Sequence, residues 1–157
     1  NGNPVQRATH VLLGPLAGLW MPSCMAASRK YTLAEADALV PWLERTFTEI
    51  AGQREAAGPL QHELEELTRR TRSNGHSGLD KLLQQAEQRV AQHRDRLREL
   101  FSSIVEKDIE IRDVNIGLVD FPGERGGRDV WLCWRTGEPA VAHWHEIDQG
   151  FRDRKPL

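Results

Sequence analysis

The segment LDKLLQQAEQRVAQHRDRLRELFSSI (79–104) decides the architecture. Its stripe runs Leu79, Leu83, Ala86, Val90, His93, Leu97, Leu100 and Ile104, in steps that alternate four and three. That spacing holds one row of side chains on one face of an α-helix and has the form of a coiled-coil seam. The intervening Gln, Glu, Arg and Asp suit a solvated face. Working upstream, TRSNGHSG (71–78) is a turn, because Asn74-Gly75 favours positive backbone angles and polar residues surround it. A second stripe precedes the turn: Leu39, Leu43, Thr46, Ile50, Gln53, Ala57, Leu60, Leu64 and Leu67. Thr32 and Glu35 have the spacing of a reciprocal cap at its start. Two striped helices about a short turn predict an antiparallel helical hairpin over 32–106. Pro41 is expected to kink or restart the first helix, and Gly58-Pro59 to bend or divide it.

Paired about that turn, His93 falls near Gln53. Two polar residues on an apolar seam read either as a hydrogen-bonded register pin or as a ligand site inside the bundle. One hairpin cannot cover both sides of its stripe, so a second copy is expected and the partner is the chain itself, as a homodimer.

Beyond Val105 the pattern changes to that of strands. IEIRDVNIGLVDFPG (109–123), RDVWLCW (128–134) and AVAHWHEI (140–147) are rich in Val, Ile and Trp, with PGERGG (122–127) and TGEP (136–139) as turns. The economical topology is a three-stranded antiparallel meander over 109–148, followed by a tail, 149–157. The fold class is therefore α+β: a long coiled-coil-like hairpin, then a small sheet.

The last hairpin concentrates the chemistry. A three-residue loop, Gly137 to Pro139, sets Thr136 opposite Ala140, Cys133 opposite His143 and Trp131 opposite His145. One face then carries a thiol and two imidazoles. A shift of one residue moves Cys133 to the other face. Cys133, His143 and His145, with Asp120 from the preceding strand, have the donor types that suit zinc or iron(II). In a regular strand Glu146 points away from His145. The same residues allow a nucleophile (Cys133), a base (His143) and an orienting acid (Asp120). The plain alternative is a buried small cysteine and histidines satisfied by backbone carbonyls.

The formal charge of −2 argues against broad capture of nucleic acid. The arginines of LTRRTRSNGH and RVAQHRDRLREL are interleaved with acids, as on solvated helices. The apolar run Val11 to Trp20 is too short to span a bilayer and is interrupted by Gly14, Pro15 and Gly18, so no membrane partner is expected. It loosely resembles a signal-peptide core. The plainer reading is that Met25 starts the functional chain and that residues 1–28 are an extension outside the domain, 29–157. Cys24 and Cys133 are too few and too far apart for a disulfide framework, which reads as a cytoplasmic protein with reduced thiols.

KYTLAEADALVPWL (30–43), GLVDFPGERGGRDVWLCWRTGEP (117–139) and HWHEIDQGFRDRKPL (143–157) together resemble an uncharacterised bacterial family, domain of unknown function 2203. The resemblance rests on Gly117, Asp120, Phe121, Pro122, Leu132, Cys133, Trp134, Gly137, Glu138, Pro139, Trp144, His145, Glu146, Gly150, Phe151, Arg154 and Pro156. It implies a fold unit and a site region, and no reaction. His143 lies just before its WHE core. Glu138, Glu146, Asp148 and Arg154 form a further polar cluster around the motif, in which Arg152 or Arg154 could pair with Asp120, Glu138 or Glu146, or hold an anionic ligand.

Overall fold

A computed structural model describes residues 29–74 and 78–157. The expected extension over 1–28, and Gly75 in the inter-helix turn, lie outside the described residues. Helix α1 spans Leu33–Asn74 and helix α2 Asp80–Val105. Five strands follow: β1 Glu110–Asp113, β2 Leu118–Arg125, β3 Arg128–Arg135, β4 His143–Glu146 and β5 Lys155–Pro156.

Helix α1 begins as its sequence dictates. The Thr32 amide donates to Glu35 Oε2 at 2.8 Å, and the Glu35 amide donates to Thr32 Oγ1 at 3.3 Å. Each satisfies an amide that the first turn leaves open. The expected break at Pro41 or at Gly58-Pro59 does not occur: α1 is one helix of 42 residues. Both prolines are exposed. The carbonyls they leave unpaired, of Asp37 and Glu55, are thus released on the solvent side, where water can take the bond.

The described chain divides into two compact units. Among the described residues, one is an arm within 54–96; the other holds residues 29–53 and 97–157. In the arm, Ala57, Leu67 and Ala86 are buried, and Arg89 Nη2 reaches Glu63 Oε1 at 2.7 Å across the two helices. In the second unit, Ala36, Val40, Leu43, Phe47 and Ile50 of α1 and Leu97, Leu100 and Ile104 of α2 share a core with Val119, Phe121, Val130, Leu132 and Trp134. Ala36, Val40 and Phe47 widen the α1 stripe, because a helix lying on a sheet buries a broader arc than one on a single neighbour.

The sheet is an antiparallel meander in the order β1-β2-β3-β4-β5, with five strands rather than the expected three. IEIRDVNIGLVDFPG is not one strand. Asp113 Oδ1 accepts from the Asn115 amide, and Gly117 takes φ 59°, so the chain folds back between Asp113 and Leu118. A Cβ at Gly117 would lie 1.9 Å from Thr136 Oγ1. The fifth strand is two residues of the tail paired to β4, too short to leave a period in the sequence.

Alternation divides the sheet into two faces. Val119, Phe121, Val130, Leu132 and Trp134 face the helices. The opposite face carries Asp120, Trp131, Cys133, His143 and His145, because Asp120 pairs with Cys133, Cys133 with His143 and Trp131 with His145. This is the register read from the sequence, although its loop is longer: β3 ends at Arg135 and β4 begins at His143. The intervening chain is drawn onto α1, where Glu44 accepts from the Gly137 amide at 2.7 Å and Asp37 from the Val141 amide at 2.8 Å.

Candidate metal centre on the outer sheet face

Three of the four expected ligands meet. A carboxylate oxygen of Asp120, Cys133 Sγ and a ring nitrogen of His145 all lie within 4.8 Å of one another. Each residue is at most 1% exposed. Three adjacent strands supply them, one residue each, at positions that the pairing places on one face. A tetrahedral zinc, with bonds of about 2.0–2.3 Å, sets its donors roughly 3.3–3.7 Å apart. His145 Nε2 and Asp120 Oδ2, 3.0 Å apart, already stand at about that spacing, and Cys133 Sγ lies no more than 4.8 Å from the ligand atom of either residue. His143 stands beside Cys133 in the register but outside this group, with its Nδ1 3.8 Å from Glu138 Oε1.

Hydrogen bonds orient the group. His145 Nδ1 lies 2.9 Å from the Glu146 carbonyl, which can only accept, so Nδ1 carries a proton. Nε2 faces Asp120 Oδ2 at 3.0 Å. In a neutral ring that contact opposes a lone pair to a carboxylate oxygen. Either a second proton or a metal ion between them resolves it. A backbone carbonyl on the far nitrogen is the usual support of a histidine that ligates a metal.

Asp120 Oδ2 also accepts from Arg112 Nε at 2.6 Å, and Arg112 Nη1 donates to Glu110 at 2.8 Å. Arg112 is the extra residue of a bulge between the pairs Ile111–Val119 and Asp113–Leu118. Bulges re-aim side chains in this way. Sequence reading missed Arg112 and offered Arg152 or Arg154 for Asp120, whereas of the pairings it weighed Arg154 with Glu138 is the one formed. The signal for Arg112 was available, since it sits one step beyond Ile111 in an alternating run. The guanidinium also lies over the Trp131 ring, 4.9 Å from its centroid.

Cys133 is a thiol and not a thiolate in this setting. Burial pushes its pKa up, with the Asp120 charge adding to the effect and Arg154 opposing it, to about 12. A thiol so held is a poor nucleophile, which argues against the nucleophile–base–acid arrangement. A bound metal ion reverses the balance, because coordination drives the proton off sulfur.

The polar cluster expected around the motif divides. Arg154 Nη1 donates to Glu138 Oε1 at 3.1 Å and stands 3.9 Å from Cys133 Sγ, which brings the tail onto the outer face. Glu146 pairs with Val130 on the helix-facing side, 3.5 Å from Lys155 Nζ. Asp148 is exposed in the turn after β4.

Among the described residues, three buried side-chain atoms lack a hydrogen-bond partner: Asp120 Oδ1, Trp131 Nε1 and His143 Nδ1. All three belong to this one face. Unpaired buried polar atoms are costly, and their clustering marks a place whose polar groups are arranged for something other than one another.

No helix among the described residues is long and apolar enough to cross a membrane. No curated protein and no solved structure matches the chain. A family model does match, over residues 29–157, and that span contains both helices, all five strands and the buried Asp120–Cys133–His145 group. The chain belongs to the family of uncharacterised conserved proteins designated DUF2203.

Proposed function

We propose that this chain is a small metal-binding protein whose centre is formed by Asp120, Cys133 and His145, with zinc or iron(II) as the ion. The observation that carries the reading is the convergence of thiol, imidazole and carboxylate in one buried group in which Asp120 Oδ1 has no hydrogen-bond partner. Thiolate and imidazole together favour a borderline ion over magnesium or calcium. Three protein donors leave a tetrahedral ion one position for water or another ligand.

The test is elemental analysis of the full chain, purified without chelators and then equilibrated with zinc. About one equivalent is expected, lost in Cys133→Ala and in Asp120→Asn. Circular dichroism establishes that each variant is folded. Cobalt(II) in the same site should show sulfur-to-metal charge-transfer absorption that Cys133→Ala removes. A folded protein that retains no ion after equilibration refutes the reading.

A second reading concerns assembly, as a homodimeric accessory or interaction protein. It is favoured by the arm, where Leu82 is 50% exposed and Leu60, Leu64, Leu79 and Leu83 are only part-buried. A second arm would cover that apolar surface. Light scattering at several concentrations should give a dimer, and Leu82→Glu a monomer. A monomer for the parent chain refutes it.

A further inference from the structure

A cleft of about 300 Å³ opens beside the proposed centre, walled by Arg112, Asp113, Ile116, Leu118, Asp120 and Phe151. Its volume lies at the lower bound of the roughly 300–1,000 Å³ usual for small-molecule sites, so a guest has to be small. Two walls are apolar side chains left open to solvent: Ile116 is 41% exposed and Phe151 37%. One wall residue, Asp120, is also a member of the buried ligand group. The cleft therefore joins an apolar rim to the residue that would hold the ion.

The polar groups around it set the chemistry of the guest. Arg112 offers five N–H donors, of which Nε engages Asp120 and Nη1 engages Glu110. Its remaining N–H groups call for an oxygen acceptor. An ion bound by three protein donors calls for one as well. Without the ion, Asp113 and Asp120 oppose a single guanidinium, and the cleft repels anions. A divalent cation at Asp120 brings two positive charges, one of which offsets the proton that Cys133 gives up on coordination, so the excess of negative charge is removed.

From this we infer that the cleft binds a small carboxylic acid with an apolar body, whose carboxylate reaches Arg112 and the ion held at Asp120 while the body packs between Ile116 and Phe151. The inference rests on the metal reading above. It adds the ligand class and a strict dependence on the ion. Binding of ion and acid is reciprocal, so the acid should in turn tighten retention of the ion.

Benzoate is a suitable probe, with isothermal titration calorimetry on the full chain loaded with zinc and on the same chain stripped by chelation. Zinc content is measured on each sample. Saturable binding is expected only for the zinc-loaded protein. Phe151→Ala touches none of the three ligands, and Arg154, which lies 3.9 Å from the ring centroid, keeps Glu138 as its partner, so the variant should keep its zinc and weaken benzoate about tenfold or more. A protein with stoichiometric zinc that takes up no benzoate at millimolar concentration overturns this inference and leaves the metal centre standing. Equal binding with and without zinc, or unchanged affinity in Phe151→Ala, also overturns it. A protein that takes no zinc overturns both readings.

Discussion

Asparagine at Asp120 removes one charge and almost no volume from the outer sheet face. In the metal-free protein the carboxylate accepts from Arg112 at 2.6 Å and contacts His145 at 3.0 Å. Hydrogen bonds to charged groups contribute about 1.5–3 kcal/mol each. The Arg112 bond belongs at the lower end, since that side chain is 30% exposed and keeps Glu110 as a partner. The His145 contact adds nothing to this, because Nε2 of a ring that carries its proton on Nδ1 has no hydrogen to give the carboxylate. The amide retains one acceptor oxygen for Arg112 but no charge, so roughly half of that bond survives. The expected loss is about 1 kcal/mol of unfolding free energy. Urea denaturation followed by tryptophan fluorescence measures it, because Trp42, Trp131, Trp134 and Trp144 all lie in the unit that holds Asp120. The slope with urea should not change, as the fold is the same. A loss below about 0.5 kcal/mol, the level of an ordinary surface substitution, would show that the carboxylate is not in a dry network. The same variant loses the ion in the elemental analysis, so one substitution examines the network and the centre by independent readouts.

Further outcomes follow from single residues. The Cys133 thiol, ordinarily at 9.0, is pushed up to about 12. Below pH 9 both folded and unfolded chains hold the proton, and this group adds no pH dependence. Above it the unfolded chain ionises first, so metal-free stability should fall by about 1.4 kcal/mol per pH unit between roughly pH 9 and 12, and Cys133→Ala should remove that share of the slope. Iodoacetamide at pH 8 should label Cys133 far more slowly in the native protein than in urea; equal rates would contradict its burial. Gly117→Ala forces a side chain into φ 59° and against Thr136, for a loss of about 1–3 kcal/mol, part of which Thr136→Ala in the same chain should restore. Pro59→Ala should stabilise the arm, since proline inside a helix is about 3 kcal/mol less favourable than alanine. Slower amide exchange in residues 54–74 would report it, and faster exchange would mean that the helix depends on that proline.

Much of this architecture was legible because it is local. The alternating steps of four and three set the helical seams, and every seam position is buried or part-buried in the structure. Thr32 and Glu35 stand three apart, the one distance at which a reciprocal cap closes. The parity of Asp120, Cys133 and His145 followed from strand alternation once the register was chosen, because successive side chains leave a strand on opposite sides.

Other features depend on segments distant in the chain. Whether Pro41 and Pro59 break α1 depends on which way their free carbonyls face, and that direction is set by what the helix packs on. The turn at Asp113–Gly117 splits one apparent strand into two, and the position of Gly117 against Thr136 is a contact across the sheet. Arg112 joins Asp120 through a bulge that exists only in the pairing of β1 with β2. His143, equal to His145 in composition and spacing, turns toward Glu138, which Arg154 of the tail also holds. Periodicity and capping are written in covalent spacing, so the sequence alone determines them. Which polar atoms end up dry, and beside which neighbours, is determined only when strands, bulge and tail close over the same face, because desolvation is a property of the packed whole.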